Sequence, residues 1–235
     1  MSEWRIELLG EGIDLQCAHN AFGSGDPNII FEEGQYFLRA NEFAINEDAG
    51  IVRDRAKEIT KLISDAVFLH YRDSRPIKIG GIVQIDDNGK RHYFVFGEAA
   101  NIQLRGMVAG LITSASGTTS AEHNAIHIFH TASSNKDISD ALAYFSQGDW
   151  SNLYKCYELV RDFVGNESLL MKSNWVTKKL LNRFTQTAQS REAIGDSARH
   201  ASKKFKAPEN PMSIHEAKAF VGILLEKWIH EMSKS

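Results

Sequence analysis

The chain has 235 residues, 43% hydrophobic and 24% charged, with 27 Lys+Arg against 30 Asp+Glu. Those proportions belong to a chain that buries a core, and they exclude disordered, collagen-like and disulfide-scaffold classes. Two cysteines, Cys17 and Cys156, are too few for a disulfide framework, so a reducing cytoplasm is the expected setting. No apolar run reaches the roughly 18 residues that cross a bilayer, and Met1-Ser2-Glu3-Trp4-Arg5 lacks the apolar region of a signal peptide, so no membrane contact is expected.

Charge is divided unevenly along the chain. Residues 1–150 carry 13 Lys+Arg and 21 Asp+Glu, a net of −8, whereas residues 151–235 carry 14 and 9, a net of +5. Two regions with unlike surfaces are therefore expected.

The first region reads mostly as sheet. Trp4-Arg5-Ile6-Glu7-Leu8 alternates apolar and polar residues, the period of a half-buried strand. A loop follows at Phe22-Gly23-Ser24-Gly25-Asp26-Pro27. Ile29–Phe31 and Tyr36–Leu38 form a hairpin around Glu32-Glu33-Gly34-Gln35. A second hairpin joins Ile82–Ile85 to His92–Phe96 through Asp86-Asp87-Asn88-Gly89-Lys90, where Asn88-Gly89 suggests a type I′ turn. Between the hairpins, Val52, Ala56, Ile59, Leu62, Ile63, Ala66 and Val67 recur at threes and fours, which predicts one helix over about Asp48–Leu69. That helix should cover one face of the sheet. Ile102–Thr113 leans to strand, and Ser114–Ser120 is small and polar, the best linker in the chain.

After about residue 136 the apolar period lengthens to that of helices. Ile138–Phe145 is short and one-sided. Trp150, Leu153, Tyr154, Tyr157, Val160 and Val164 mark a longer helix that stops at Gly165, and Leu169–Phe184 continues with a break near Asn174. Ser213-Ile214-His215-Glu216, placed after Pro211, is a capping box, and Ala217, Phe220, Val221, Leu224, Leu225 and Trp228 follow it as a buried stripe. The expected fold is α+β, an N-terminal antiparallel sheet with a covering helix over residues 1–135 and a C-terminal helical bundle of about four to five helices over residues 136–235.

Several patterns bear on chemistry. His123, His127 and His130 would share one helix face, as zinc ligands can, but the glutamate of the His-Glu-x-x-His motif is missing. Read as a strand, Ala125–His130 would turn His127 and His130 to opposite faces; ordinary histidines, and no metal, are the expectation. Cys156 has no evident base, so a packed thiol is expected. Neither a phosphate-loop motif nor Gly-x-Ser-x-Gly occurs. The richest polar stretch runs from Thr185 through Arg191, Gly195-Asp196-Ser197-Ala198-Arg199-His200 and Lys203-Lys204-Phe205-Lys206. Asp196 is read as a helix cap with Arg199 as its ion-pair partner or an anion holder, and His200 as a donor or base. Arg191, Lys203, Lys204 and Lys206 form the candidate ligand-binding set, and Arg199, His200 and Asp196 the candidate catalytic set.

Asp149-Trp150-x-x-Leu153-Tyr154-Lys155-x-Tyr157-Glu158-x-Val160-Arg161, Phe184-Thr185-x-Thr187-Ala188, Gly195-Asp196-x-Ala198-Arg199-His200 and Asn210-Pro211-Met212 before the Trp228 helix resemble bacterial proteins of similar length with a C-terminal helical region. More loosely, this stretch, from about Asp137 to Trp228, resembles the HEPN superfamily of helical bundles, many of which cut RNA in toxin–antitoxin and phage-defence systems. HEPN nucleases use Arg followed by His after four to six intervening residues, and no such pair occurs here. The resemblance therefore implies a bundle that binds RNA, a nucleotide or a partner protein. Two alternatives stand beside it: an RNase using Arg199 and His200, and a non-catalytic protein-interaction module. The candidate partners are RNA or another phosphate-bearing ligand, a partner protein and a second copy of the chain; no cofactor is expected.

Overall fold

Trp4, Ile6 and Leu8 are buried while Glu3, Arg5 and Glu7 alternate with them on the other face of β1 (Glu3–Leu9). In the computed structural model, which describes residues 3–46, 48–72, 74–96, 118–199 and 204–234, this strand is the middle of a five-stranded antiparallel sheet. The other strands are β2 (Asn28–Glu32), β3 (Gln35–Arg39), β4 (Lys78–Ile85) and β5 (Arg91–Phe94), in the order β2-β3-β1-β4-β5. Ile6 stands opposite both Leu38 and Ile82, so three fully buried aliphatic side chains line up across the central strands.

Both expected hairpins are present, but the type I′ turn expected at Asn88-Gly89 is found at the other one. Glu32 pairs with Gln35, leaving a two-residue loop in which Glu33 and Gly34 have φ of 51° and 83°. Positive φ at both central residues is the condition of a type I′ turn. At Asn88-Gly89 only Gly89 is positive, at 77°. The Gly89 amide donates to the Asp86 carbonyl, and the Asp86 amide to the Lys90 carbonyl. The Asp86 carboxylate accepts from the Asn88 and Lys90 amides, so this wider turn is held by its own aspartate.

The sheet is covered by two helices, one more than expected. α2 (Ala49–His70) is the predicted helix; Asp48 caps it by accepting from the amides of Gly50 and Ile51. Its buried residues include Val52, Ala56, Ile59, Ile63 and Val67, and it packs on β4. Ser64 accepts a hydrogen bond from the Ile77 amide at 3.0 Å, which ties the helix to the approach to that strand. α1 (Gly12–Phe22) was not legible. Its core face is Leu15, Ala18, Ala21 and Phe22, and Glu11 makes no side-chain cap, so both the apolar stripe and the start signal are weak. It lies against β2, where the His19 ring nitrogen stands 2.7 Å from the Ile29 carbonyl oxygen.

The described strands all precede residue 95, and the run of successive helices that follows them is described from residue 118, earlier than the expected residue 136. The β-leaning run Ile102–Thr113 and residues 114–117 of the linker lie outside the described residues. Thr118–Ser120, read as part of that linker, opens α3 (Thr118–Ser134) instead. The chain divides into two compact units between Ile126 and His127. Residues 1–126 hold 12 Lys+Arg and 18 Asp+Glu; residues 127–235 hold 15 and 12.

The second unit contains α4 (Lys136–Gln147), α5 (Trp150–Val164), α6 (Glu167–Lys172), α7 (Lys178–Gln189), α8 (Arg191–Ile194) and α9 (Ile214–Met232). Caps explain most of the boundaries: Asn135, Asp149, Asn166, Thr177 and Ser213 each accept a hydrogen bond from an amide in the first turn of the following helix. The expected break falls between α6 and α7, with Asn174 at φ 60°. α5 packs against α4, α6, α7 and α9 and is the hub of the bundle.

In α9, Ser213 and Glu216 form the predicted capping box, and Arg183 reinforces it by donating to the Glu216 carboxylate. The Ser213 amide and then Arg183 hold the Glu216 carboxyl below the usual carboxylate range. Because the folded-state value is the depressed one, this contribution is present above the ordinary value of about 4.3 and is lost as pH falls through the folded value. Glu216→Gln should lower stability at neutral pH and flatten the acid limb of the unfolding curve below about pH 4, as followed by helical circular dichroism.

Trp228 is 2% exposed, packs 5.3 Å from Phe163, and its indole N–H is buried without a hydrogen-bond acceptor among the described residues. Trp228→Ala should cost about 3–5 kcal/mol in denaturant unfolding. Trp228→Phe should cost far less, since it keeps most of the ring and removes a donor whose burial costs about 1–3 kcal/mol. Ser213→Ala should cost about 0.5–2 kcal/mol through the lost cap.

Candidate functional site

The polar stretch singled out in the sequence runs from the end of α7 into the connection toward α9, and α5 supplies the floor beneath Gln189 and Arg199. The floor is fixed by aromatic packing. Phe184 of α7 is fully buried with its ring centroid 4.9 Å from Phe220, 5.5 Å from Tyr157, 6.0 Å from Tyr154 and 6.2 Å from Trp150. Such pairs each add about 0.5–1.5 kcal/mol beyond area burial, so α5 and α7 have little freedom to slide.

On that floor, the Tyr154 hydroxyl accepts from the Gln189 amide at 2.9 Å. The Arg199 amide donates to the Ala188 carbonyl at 2.9 Å, which returns the chain onto the end of α7. The Arg199 guanidinium then lies over the Tyr154 ring, 4.5 Å from its centroid, with Nη2 3.0 Å from the Glu158 carboxylate. Tyr154 and Glu158 are four residues apart on α5 and so share one face. Arg199 is thus held at backbone, ring face and one edge, while its side chain remains 39% exposed and that of Glu158 26%.

The expected Asp196–Arg199 contact is not formed. Asp196 pairs instead with Arg191, Nη2 to Oδ1 at 2.6 Å, with side chains 90% and 49% exposed. Nor does Asp196 stand at the start of a described helix: Gly195–Ser197 is a single 3-10 turn at the end of the four-residue α8, with Asp196 inside it. The reason is geometric. Arg199 is drawn across to α5 by Tyr154 and Glu158, leaving Asp196 to the arginine one turn before it. Lys206 is exposed and Lys204 is exposed with contacts of its own. His200 and Lys203 lie outside the described residues. The sequence reading missed Tyr154, Glu158 and Gln189; the spacing of four between Tyr154 and Glu158 was visible, but nothing local tied it to Arg199.

Other candidates fall away on geometry. Ala125–His130 is helical, which removes the strand alternative; His127 is half-buried, His130 exposed, and the His123 side chain lies outside the described residues. Among the described residues no group of three metal-ligating side chains forms. A shallow apolar groove of about 260 Å³ lies between the Asn174–Thr177 loop and α9, lined by Trp175, Val176, Leu180, Phe220 and Ile223, and it contains none of the charged residues above. Among the described residues no helix is long and apolar enough to cross a membrane. Ser190, at the junction of α7 and α8, is fully buried, and its hydroxyl has no partner among the described residues.

Cys156 faces the core of α5 and is fully buried, and burial pushes its thiol far above the ordinary range. Cys17 is half-buried, its thiol also raised by burial and then by Asp14. A thiol reagent should therefore titrate at most one cysteine in the native protein, Cys17, and the second only in denaturant. Native labelling of Cys156, located by peptide mapping, would contradict its place in the core.

No family model, curated protein or solved structure matches the chain.

Proposed function

We propose that the helical unit binds a phosphate-bearing ligand, RNA first among them, through the segment from Arg191 to Lys206, and that it does so without a catalytic centre. The observation that carries this reading is the seating of Arg199. A guanidinium has five N–H donors in a planar fork suited to phosphate, and one carboxylate engages two of them at most. Seated on Tyr154 and tied to Ala188, Arg199 presents the others from a fixed position at small entropic cost. Arg191 and Lys206 add exposed positive charge along the same connection, in the unit with the cationic balance.

A guanidinium cannot be deprotonated in a protein, so Arg199 holds charge and moves no proton. This fits a binding version of a HEPN-like bundle, in an accessory or effector protein of the kind that resemblance implies. The RNase alternative places the proton transfer on His200.

The test is RNA binding and RNA cleavage across a salt series. Affinity should fall steeply with salt, and Arg191→Ala/Lys206→Ala should reduce the log–log slope by about 1.4, two single-strand phosphate contacts. Arg199→Ala should weaken binding at every salt concentration, and no variant should cut. Cleavage abolished by His200→Ala with binding intact would establish the RNase reading. An absence of both binding and cleavage with every RNA would defeat the phosphate reading and move a protein partner to first place.

A further inference from the structure

Both arginines of this segment already carry a carboxylate of the same chain, Glu158 on Arg199 and Asp196 on Arg191. We propose that these carboxylates are resident counter-ions that an incoming ligand must displace, and that they bias the site toward phosphate monoesters, the ends of an RNA chain or a nucleoside monophosphate, over internal phosphodiesters. The inference rests on the phosphate-binding reading above and names its ligand class.

The argument is one of competition. A tethered carboxylate carries one negative charge and acts at the high effective concentration of an intramolecular group. An internal phosphodiester also carries one negative charge, so it offers Arg199 no more than Glu158 does and must meet the loss of free motion as well. A terminal monoester carries about −1.5 to −2 at pH 7 and presents three strong acceptor oxygens. It exceeds the carboxylate in charge and in the number of donors it can engage. The ring beneath the guanidinium blocks one face, and Glu158 stands at its edge, so a ligand that takes up that edge must move Glu158. Displacement is affordable because both pairs are partly or largely exposed, and exposed ion pairs are weak.

Glu158→Gln keeps the shape of the side chain and removes its charge. Asp196→Asn does the same at a position so exposed that the fold does not depend on it. The ligands are one oligoribonucleotide with a 5′ phosphate, with a 3′ phosphate, or with hydroxyls at both ends, measured with wild type and both variants at one salt concentration. Wild type should favour one or both phosphorylated forms over the hydroxyl form, and the two phosphorylated arms show which end is read. Each variant should raise affinity for the hydroxyl form by about two- to five-fold, narrowing the preference. Equal wild-type affinity for all three forms overturns the inference and leaves the phosphate reading standing. So does a preference that neither variant narrows. Reduced affinity for every form in Glu158→Gln, with an unchanged melting temperature, would make Glu158 a positioning residue and also overturn it. Binding of the hydroxyl form by a variant, where wild type binds only phosphorylated forms, supports the inference, whereas binding by a variant alone, with wild type binding no form, overturns it. Failure of all three proteins to bind any form defeats the inference and the phosphate reading together.

Discussion

The burial of Phe184 is the contact on which the helical unit depends. Its ring meets Trp150, Tyr154 and Tyr157 of α5 and Phe220 of α9, so one side chain of α7 fixes the relation of three helices. Its neighbours along α7 distribute that constraint. Arg183 donates to the carbonyls of Asn210 and Pro211 and to Glu216, and the Thr187 hydroxyl accepts from the Met212 amide. The entry to α9 is thereby pinned by polar groups on the same helix whose apolar face enters the core. A packed interior transmits such placement because side chains interdigitate with few voids.

The candidate site inherits its geometry from this arrangement. Tyr154 belongs to the Phe184 cluster by its ring and to the surface by its hydroxyl and its outer face, where Gln189 and Arg199 meet it. Glu158 follows one turn later on the same helix. The arginine that the connection brings back over α7 is therefore received by a surface already set by the core. The division of charge matters as well: the same segment that supplies cations also meets carboxylates that partly neutralise them.

The sheet unit is organised by a different constraint. β1 is flanked on both sides, so its alternation of Trp4, Ile6 and Leu8 with Glu3, Arg5 and Glu7 is imposed on β3 and β4 through antiparallel register. The charged face of the central strand forms its own network, with Arg5 meeting Glu3 and Glu32, and Arg39 meeting Glu3. A one-residue slip would put those charges into the core, and this fixes the register.

Local signals in the sequence determined the α+β class, both hairpins, α2, the stop at Gly165, the break at Asn174 and the capping box at Ser213. Each rests on an apolar period or a cap that acts within about one turn, so neighbouring residues suffice to reveal it. α1 stayed hidden because alanines supply much of its buried face and no side chain caps its start. The type I′ turn expected at Asn88-Gly89 gave way to a wider turn held by the Asp86 carboxylate, which accepts from two loop amides. The site was legible in part: its arginines, Asp196 and lysines stood out by composition. Only the tertiary structure decided that Arg199 pairs with Glu158, 41 positions away in the chain, and that Asp196 is left to Arg191. Those pairings arise because aromatic packing sets α5 beside the end of α7, a distance in space that no local pattern encodes.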